Sequence, residues 1–132
     1  MTVNESVVLD ASAMVDVLAR TRLAVAVSDR VRDCSLHTAA HFDAEVLSAL
    51  ARLHRTRSLS PRRVAAALSR LAGAPITRHH LPSLVEGAWR RRANLQLADA
   101  LYVELSEQLD MPLITTDRRL AAAVPSAELI DG

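Results

Sequence analysis

The chain has 132 residues, sixteen basic and fifteen acidic for a formal net charge of +1, and half of it is hydrophobic. Every basic residue is an arginine, which excludes a Walker-type phosphate loop, a Schiff-base enzyme and a phospho-receiver domain, since each needs a lysine. Gly73, Gly87 and Gly132 are too scattered for a dinucleotide loop, and Cys34 alone makes neither an internal disulfide nor a cysteine zinc cluster.

Residues 1–10 carry acids where a secretory signal carries basic residues and then a long apolar core. No apolar run approaches membrane-spanning length, so the chain reads as a cytoplasmic protein with no membrane segment. No repeat or linker divides it, and residues 1–132 read as one domain. Residues 6–9, apolar and β-branched up to Asp10, predict a buried strand, followed by helices over 11–19 and around 24–32. Residues 34–38 predict a second strand. From His41 to Arg57 the apolar residues Phe42, Val46, Ala49, Leu50 and Leu53 recur at helical spacing. Ser60 and Pro61 predict an N-cap and first-turn proline for a helix running to about Leu71. Toward the C-terminus the pattern predicts a helix over 97–109 stopped before Pro112, a strand over 113–115, a short helix over 118–123 and a last strand over 128–130. Short buried strands alternating with helices predict an α/β fold, with a short, mainly parallel sheet flanked by helices.

In such a sheet, ligands bind outside the carboxyl ends of the strands. Two aspartates sit there: Asp10 ends the first strand, and Asp117 follows Leu113-Ile114-Thr115-Thr116. Capping the next helix is the plain alternative role for each. Two further acids lie on helices. Glu45 shares the apolar side of its helix with Phe42 and Ala49, and Asp99 shares a face with Tyr102 and Val103, opposite a solvated face predicted for Glu104, Glu107 and Gln108. A buried carboxylate needs a partner, either an arginine such as Arg20 or Arg92, or a metal. If the four acids converge, a hard divalent cation relieves their repulsion, and an all-oxygen set suits Mg²⁺ or Mn²⁺ better than zinc.

These acids and their neighbours resemble the PIN domain, and within it the VapC-type ribonuclease toxins of bacterial type II toxin–antitoxin pairs. The matching segments are Val8-Leu9-Asp10-Ala11-Ser12, Ala44-Glu45-Val46-Leu47-Ser48-Ala49-Leu50, Ala98-Asp99-Ala100-Leu101-Tyr102-Val103, and Leu113-Ile114-Thr115-Thr116-Asp117-Arg118-Arg119-Leu120. The resemblance implies a PIN-like three-layer sandwich and Mg²⁺-dependent hydrolysis of RNA phosphodiester bonds, with Mn²⁺ able to substitute, leaving 5′-phosphate and 3′-hydroxyl ends. It implies that Asp10, Glu45, Asp99 and Asp117 surround the catalytic metal, and that Ser12 and Thr115 support them. It also implies a cognate antitoxin and a homodimer. Asp16 and Asp43 lie near the matching acids, and solvation or an arginine pair is the expected role of each.

Arginine suits phosphate contact, and Arg52, Arg55, Arg90, Arg91 and Arg92 are the candidates for binding RNA; a solvated helix face is the alternative. Fifteen acids less the four proposed ligands leaves eleven against sixteen arginines over the rest of the chain. The histidines lack an HExxH pattern and read as surface or packing residues, and Trp89 reads as a core anchor. Aromatic residues are 2% of the chain, too few for base stacking to supply most of the affinity for RNA. Two other functions stay open at this stage. A haloacid-dehalogenase-like phosphatase also starts with an aspartate after an apolar strand, but position 12 is serine where its motif repeats aspartate, and its lysine is absent. The other is a non-catalytic binding module.

Overall fold

The computed structural model describes residues 4–132; residues 1–3, the start of the stretch read against a secretory signal, lie outside the described residues. The elements are β1 (Ser6–Leu9), α1 (Ala11–Ala19), α2 (Ala24–Val31), β2 (Ser35–Ala39), α3 (Phe42–Arg55), α4 (Pro61–Gly73), β3 (Ile76–His79), α5 (Val85–Arg90), α6 (Leu97–Leu109), β4 (Leu113–Thr115), α7 (Arg118–Ala123) and β5 (Ala127–Leu129). A 3₁₀ turn, Pro82–Leu84, leads into α5.

The strands form one sheet in the order β3-β2-β1-β4-β5, and every pairing is parallel. β1 occupies the middle, and its run Val7, Val8 and Leu9 is wholly buried, as a strand covered on both faces requires. The chain builds outward from β1 through β2 to β3, then returns to add β4 and β5 on the other side. Strand order therefore reverses between β1 and β4, which opens a crevice at their carboxyl ends. Asp10 and Asp117 stand at this crevice.

α6 packs across β1, β2 and β4 with α5 against it, while α1 packs on α2, α3 and α4. Phe42, Val46 and Leu50 of α3, Tyr102 and Leu105 of α6 and Ile114 of β4 are fully buried, each worth roughly 1.5–3 kcal/mol of transfer free energy. The α3 set repeats every four residues, the spacing read from the sequence. Ser60 caps α4 by accepting from Arg63 N at 3.2 Å, with Pro61 in the first turn. Among the described residues no helix is long and apolar enough to cross a membrane.

The sequence reading misses β3 and α5. β3, Ile-Thr-Arg-His, lies at the sheet edge, where only Ile76 is buried, so no apolar run marks it. α5 is six residues long and turns only Gly87 and Ala88 inward. Trp89 is consequently 55% exposed, not a core anchor. Glu104 is buried, not solvated. Gly87 leaves the space: a Cβ there would stand 2.0 Å from the Glu104 carboxyl carbon. Arg91 Nη2 reaches Glu104 at 3.1 Å and also pairs with Glu107, while Gln108 donates to Glu104 at 2.8 Å and to Ser83 O at 3.0 Å. A buried carboxylate needs this countercharge, so Arg91 is engaged inside the protein and is withdrawn as a candidate for RNA contact.

Candidate active site

Asp10 leaves β1 in extended backbone and caps α1, its Oδ1 accepting from Ala13 N at 3.1 Å. Ser12 Oγ donates to the same oxygen at 2.7 Å, and Thr115 Oγ1 donates to Oδ2 at 2.6 Å. Each hydroxyl has one proton and spends it on Asp10, so the 3.2 Å approach between Ser12 and Thr115 is an oxygen–oxygen contact with no proton left to share. The two hydroxyls then accept from the next loop: Thr116 N donates to Ser12 Oγ at 3.1 Å, and Asp117 N to Thr115 Oγ1 at 3.0 Å. Thr115 thus ties the carboxylate of one strand-end acid to the backbone of the other. Asp117 caps α7 through Oδ1, which accepts from Arg119 N at 2.9 Å and Leu120 N at 3.3 Å. Both aspartates serve as caps, and capping leaves lone pairs free on each.

α3 and α6 bring the other two acids to this crevice. Tyr102, buried in α6, donates its hydroxyl to Glu45 Oε1 at 2.6 Å. His41 Nε2 donates to Ala98 O at 2.8 Å, beside Asp99, and lies 3.7 Å from Glu45 Oε1. Its ring packs 4.4 Å from that of Tyr102, centroid to centroid. The starts of the two acid-bearing helices are thereby fastened together. Neither Glu45 nor Asp99 pairs with an arginine among the described residues; Arg20 closes α1, and Arg92 lies 4.5 Å over the Trp89 ring.

Asp10, Ser12, Glu45, Asp99 and Asp117 line one cleft of about 480 Å³, with Arg52 also on its wall. Burial, which outweighs the three donors, pushes the Asp10 carboxyl from 3.8 up to about 6. Burial also raises Asp99, reinforced by repulsion from Asp117 and Glu45 and opposed by Arg119 and His41. Tyr102 is raised by burial and by its bond to Glu45, and so stays a neutral donor. Among the described residues no three acid, histidine or cysteine side chains converge tightly enough to hold an ion unaided. The donor set still fits a hard cation that keeps part of its water shell, as Mg²⁺ does, because all four groups are carboxylates and repel one another.

Asp16 is half-buried and bonded to hydroxyls where the sequence predicts an exposed acid that is solvated or paired with an arginine. It lines the same cleft and has no arginine partner among the described residues; its carboxylate accepts from Thr21 Oγ1 and Thr116 Oγ1, both at 2.6 Å. The available signal was its i+4 spacing from Ser12, which puts both on one face of α1. Asp43 has its expected arginine, held by Arg78 at 2.8 and 2.9 Å. Of the other arginines, Arg55 is exposed at the end of α3, and Arg90 borders an apolar groove beside α5, away from the acids. His37 and His79 pack on each other across β2 and β3, with ring nitrogens 2.9 Å apart.

Comparison with known proteins shows the family and the fold. Residues 7–124 match the family model described as the PIN domain. Ribonuclease VapC3 of Mycobacterium tuberculosis (strain ATCC 25618 / H37Rv) is 56% identical over 127 residues, covering 96% of this chain and 93% of its own length. Ribonuclease VapC12 of the same strain is 36% identical over 115 residues, covering 87% and 89%. The crystal structure of M. tuberculosis VapC20, titled a sarcin–ricin loop cleaving toxin, shares the fold at a TM-score of 0.66 and 16% identity, over 89% of this chain and 95% of that one. A toxin–antitoxin complex from Klebsiella pneumoniae matches with a TM-score of 0.69 at 16% identity, over 95% and 98%.

Proposed function

This chain belongs to the PIN-domain family and is a ribonuclease of the VapC kind, and from that premise we propose that it is the Mg²⁺-dependent endoribonuclease toxin of a toxin–antitoxin pair, cutting RNA at Asp10, Glu45, Asp99 and Asp117. Family membership sets aside the phosphatase, and identity to named ribonucleases favours a nuclease over a non-catalytic module. The finer reading is supported by the cleft at the sheet's switch point, which Asp10, Glu45, Asp99 and Asp117 line together, none of them paired with an arginine among the described residues.

Asp10, Asp99, Glu45 and Asp117 would hold the ion, with Mn²⁺ able to replace Mg²⁺. When bound, such an ion supplies an activated water and neutralises charge that grows on the phosphate and the leaving oxygen. The protein's own part is to keep the acids in place. Ser12 and Thr115 fix the plane of Asp10, and Thr115 fixes the turn that presents Asp117. Tyr102 takes one oxygen of Glu45 and leaves the other free. Arg52 stands in the cleft to receive a phosphate, with Arg55 one turn further along α3. Cleavage is expected to leave 5′-phosphate and 3′-hydroxyl ends.

A cognate antitoxin and a homodimer belong to the same reading, as does a place in the cytoplasm. The Klebsiella match is itself a toxin–antitoxin complex. Val85, Trp89 and Leu97 leave an exposed apolar face on α5 and α6 that suits a second copy, since such patches are uncommon on monomers. Arg90 and Arg92 border that face, and their exposure leaves RNA contact open to them. The test is incubation of purified protein with structured RNAs, with and without Mg²⁺ or Mn²⁺. Metal-dependent cleavage that disappears in Asp10→Ala and Asp99→Asn is expected; cleavage that persists in those variants rejects the site.

A further inference from the structure

Beside the acid cleft, between the start of α6 and α7, lies a second pocket of about 210 Å³. The two share Gln96, Asp99 and Asp117 as common wall and so are contiguous. We propose that this pocket is the subsite for the ribonucleotide flanking the scissile phosphate, with Arg119 on that nucleotide's phosphate and the carboxamides of Gln96 and Asn94 on its base. The assignment rests on the nuclease reading above and deepens it.

Hydrogen-bonding capacity is left unused in one place. Gln96 holds the N-cap position of α6, yet its side chain makes no capping bond. The side chains of Asn94 and Arg119 make no hydrogen bond or ion pair among the described residues; their backbone N–H groups donate to Arg91 O and Asp117 Oδ1. Two carboxamides and a guanidinium, all exposed, therefore line one pocket with no side-chain partner among the described residues.

Charge points the same way. Five carboxylates, those of Asp10, Asp16, Glu45, Asp99 and Asp117, line the cleft and repel an incoming polyanion, and Arg52 is the arginine on its wall. Arg119 lines the adjoining pocket, close enough to Asp99 for its charge to oppose the rise in that carboxyl's pKa. It makes no ion pair among the described residues, so its planar fork of donors is available to a phosphate.

So does the character of the walls. Leu95 and Ala123 give the pocket an apolar side on which the face of a base can lie, while the carboxamides reach its edge. A carboxamide offers a donor and an acceptor side by side, the pairing that reads base edges. Single-stranded RNA is commonly recognised by splayed bases read at their edges. Such readout needs no stacking aromatic in the pocket, and there is none.

Two measurements test this. Sequencing of cut ends from an RNA pool randomised in sequence is expected to give a base preference at one position flanking the cut, flattened about tenfold in Gln96→Ala or Asn94→Ala. Absence of a flanking preference in the wild type, or its survival in both variants, overturns the base contacts. Fluorescence anisotropy with a labelled single-stranded RNA in EDTA, where no strand is cut, isolates Arg119. Arg119→Ala is expected to weaken binding and to lower the slope of log affinity against log salt by about 0.7, the loss of one phosphate contact; unchanged affinity and slope overturn that assignment. A wild type that cuts no RNA with either metal fails the nuclease reading instead. The subsite is then judged on binding alone, where wild-type affinity in both Arg119→Ala and Gln96→Ala rejects it.

Discussion

Replacing Asp10 by asparagine is expected to abolish cleavage and to stabilise the metal-free protein. Asp10 is 3% exposed, and burial lifts its carboxyl from 3.8 to about 6. The native state therefore binds more protons than the unfolded state between those values. Stability from this group is fully present below about pH 4 and is lost as pH rises through 6. At 1.36 kcal/mol per pH unit, the loss by pH 8 is about 3 kcal/mol, or roughly 10 °C in Tm for a chain of this length. Asparagine carries no charge and removes that cost. The hydroxyl network can accommodate it: Oδ1 keeps Ser12 and Ala13, and Nδ2 donates to Thr115, whose proton turns to Ser12 Oγ, already 3.2 Å away. The assay is thermal unfolding of both proteins in EDTA from pH 4 to pH 8. The two melting curves should converge at pH 4 and diverge with rising pH, the variant being the more stable. A variant less stable than the wild type at pH 8 in EDTA would refute the reasoning, because it would mean that the hydrogen bonds to the carboxylate outweigh its desolvation.

Tyr102→Phe removes the donor to Glu45 without opening a cavity; it should cost about 1 kcal/mol in urea unfolding and raise the Mn²⁺ concentration needed for half-maximal cleavage. Asp16→Ala and Thr116→Val each break the bond that holds the turn before Asp117; each should slow cleavage with a stability change of about 1 kcal/mol, and the double variant should be no slower than the worse single. Gly87→Ala forces a methyl against the Glu104 carboxylate and should destabilise by about 2 kcal/mol or more, much of it recovered when Glu104→Ala is added, as a double-mutant cycle would measure.

The parts of the fold legible in the sequence are those fixed by local pattern. β1 and β4 are short apolar runs because they are buried on both faces, and each ends at an acid because the chain must leave the sheet and start a helix there. α3 and α6 are legible from helical spacing, which also puts Glu45 and Asp99 on inward faces. What the sequence hides depends on residues far apart in the chain. Glu104 reads as solvated until Gly87, seventeen positions earlier, is seen to leave room for it, and Arg91 reads as free until it is seen closing on that carboxylate. Asp16 reads as a surface acid because its partner Thr116 lies a hundred positions away. β3 is hidden for a different reason: an edge strand with one buried side chain carries almost no hydrophobic signal.

The central claim is that the carboxylates at the switch point are one cation site. Crystals soaked in Mn²⁺ and measured at the manganese absorption edge test it directly. An anomalous peak bonded to Asp10 and at least one of Asp99, Glu45 and Asp117 is the predicted result. Ordered side chains at full Mn²⁺ saturation with no peak in the cleft, or a peak bound elsewhere on the protein, would contradict it.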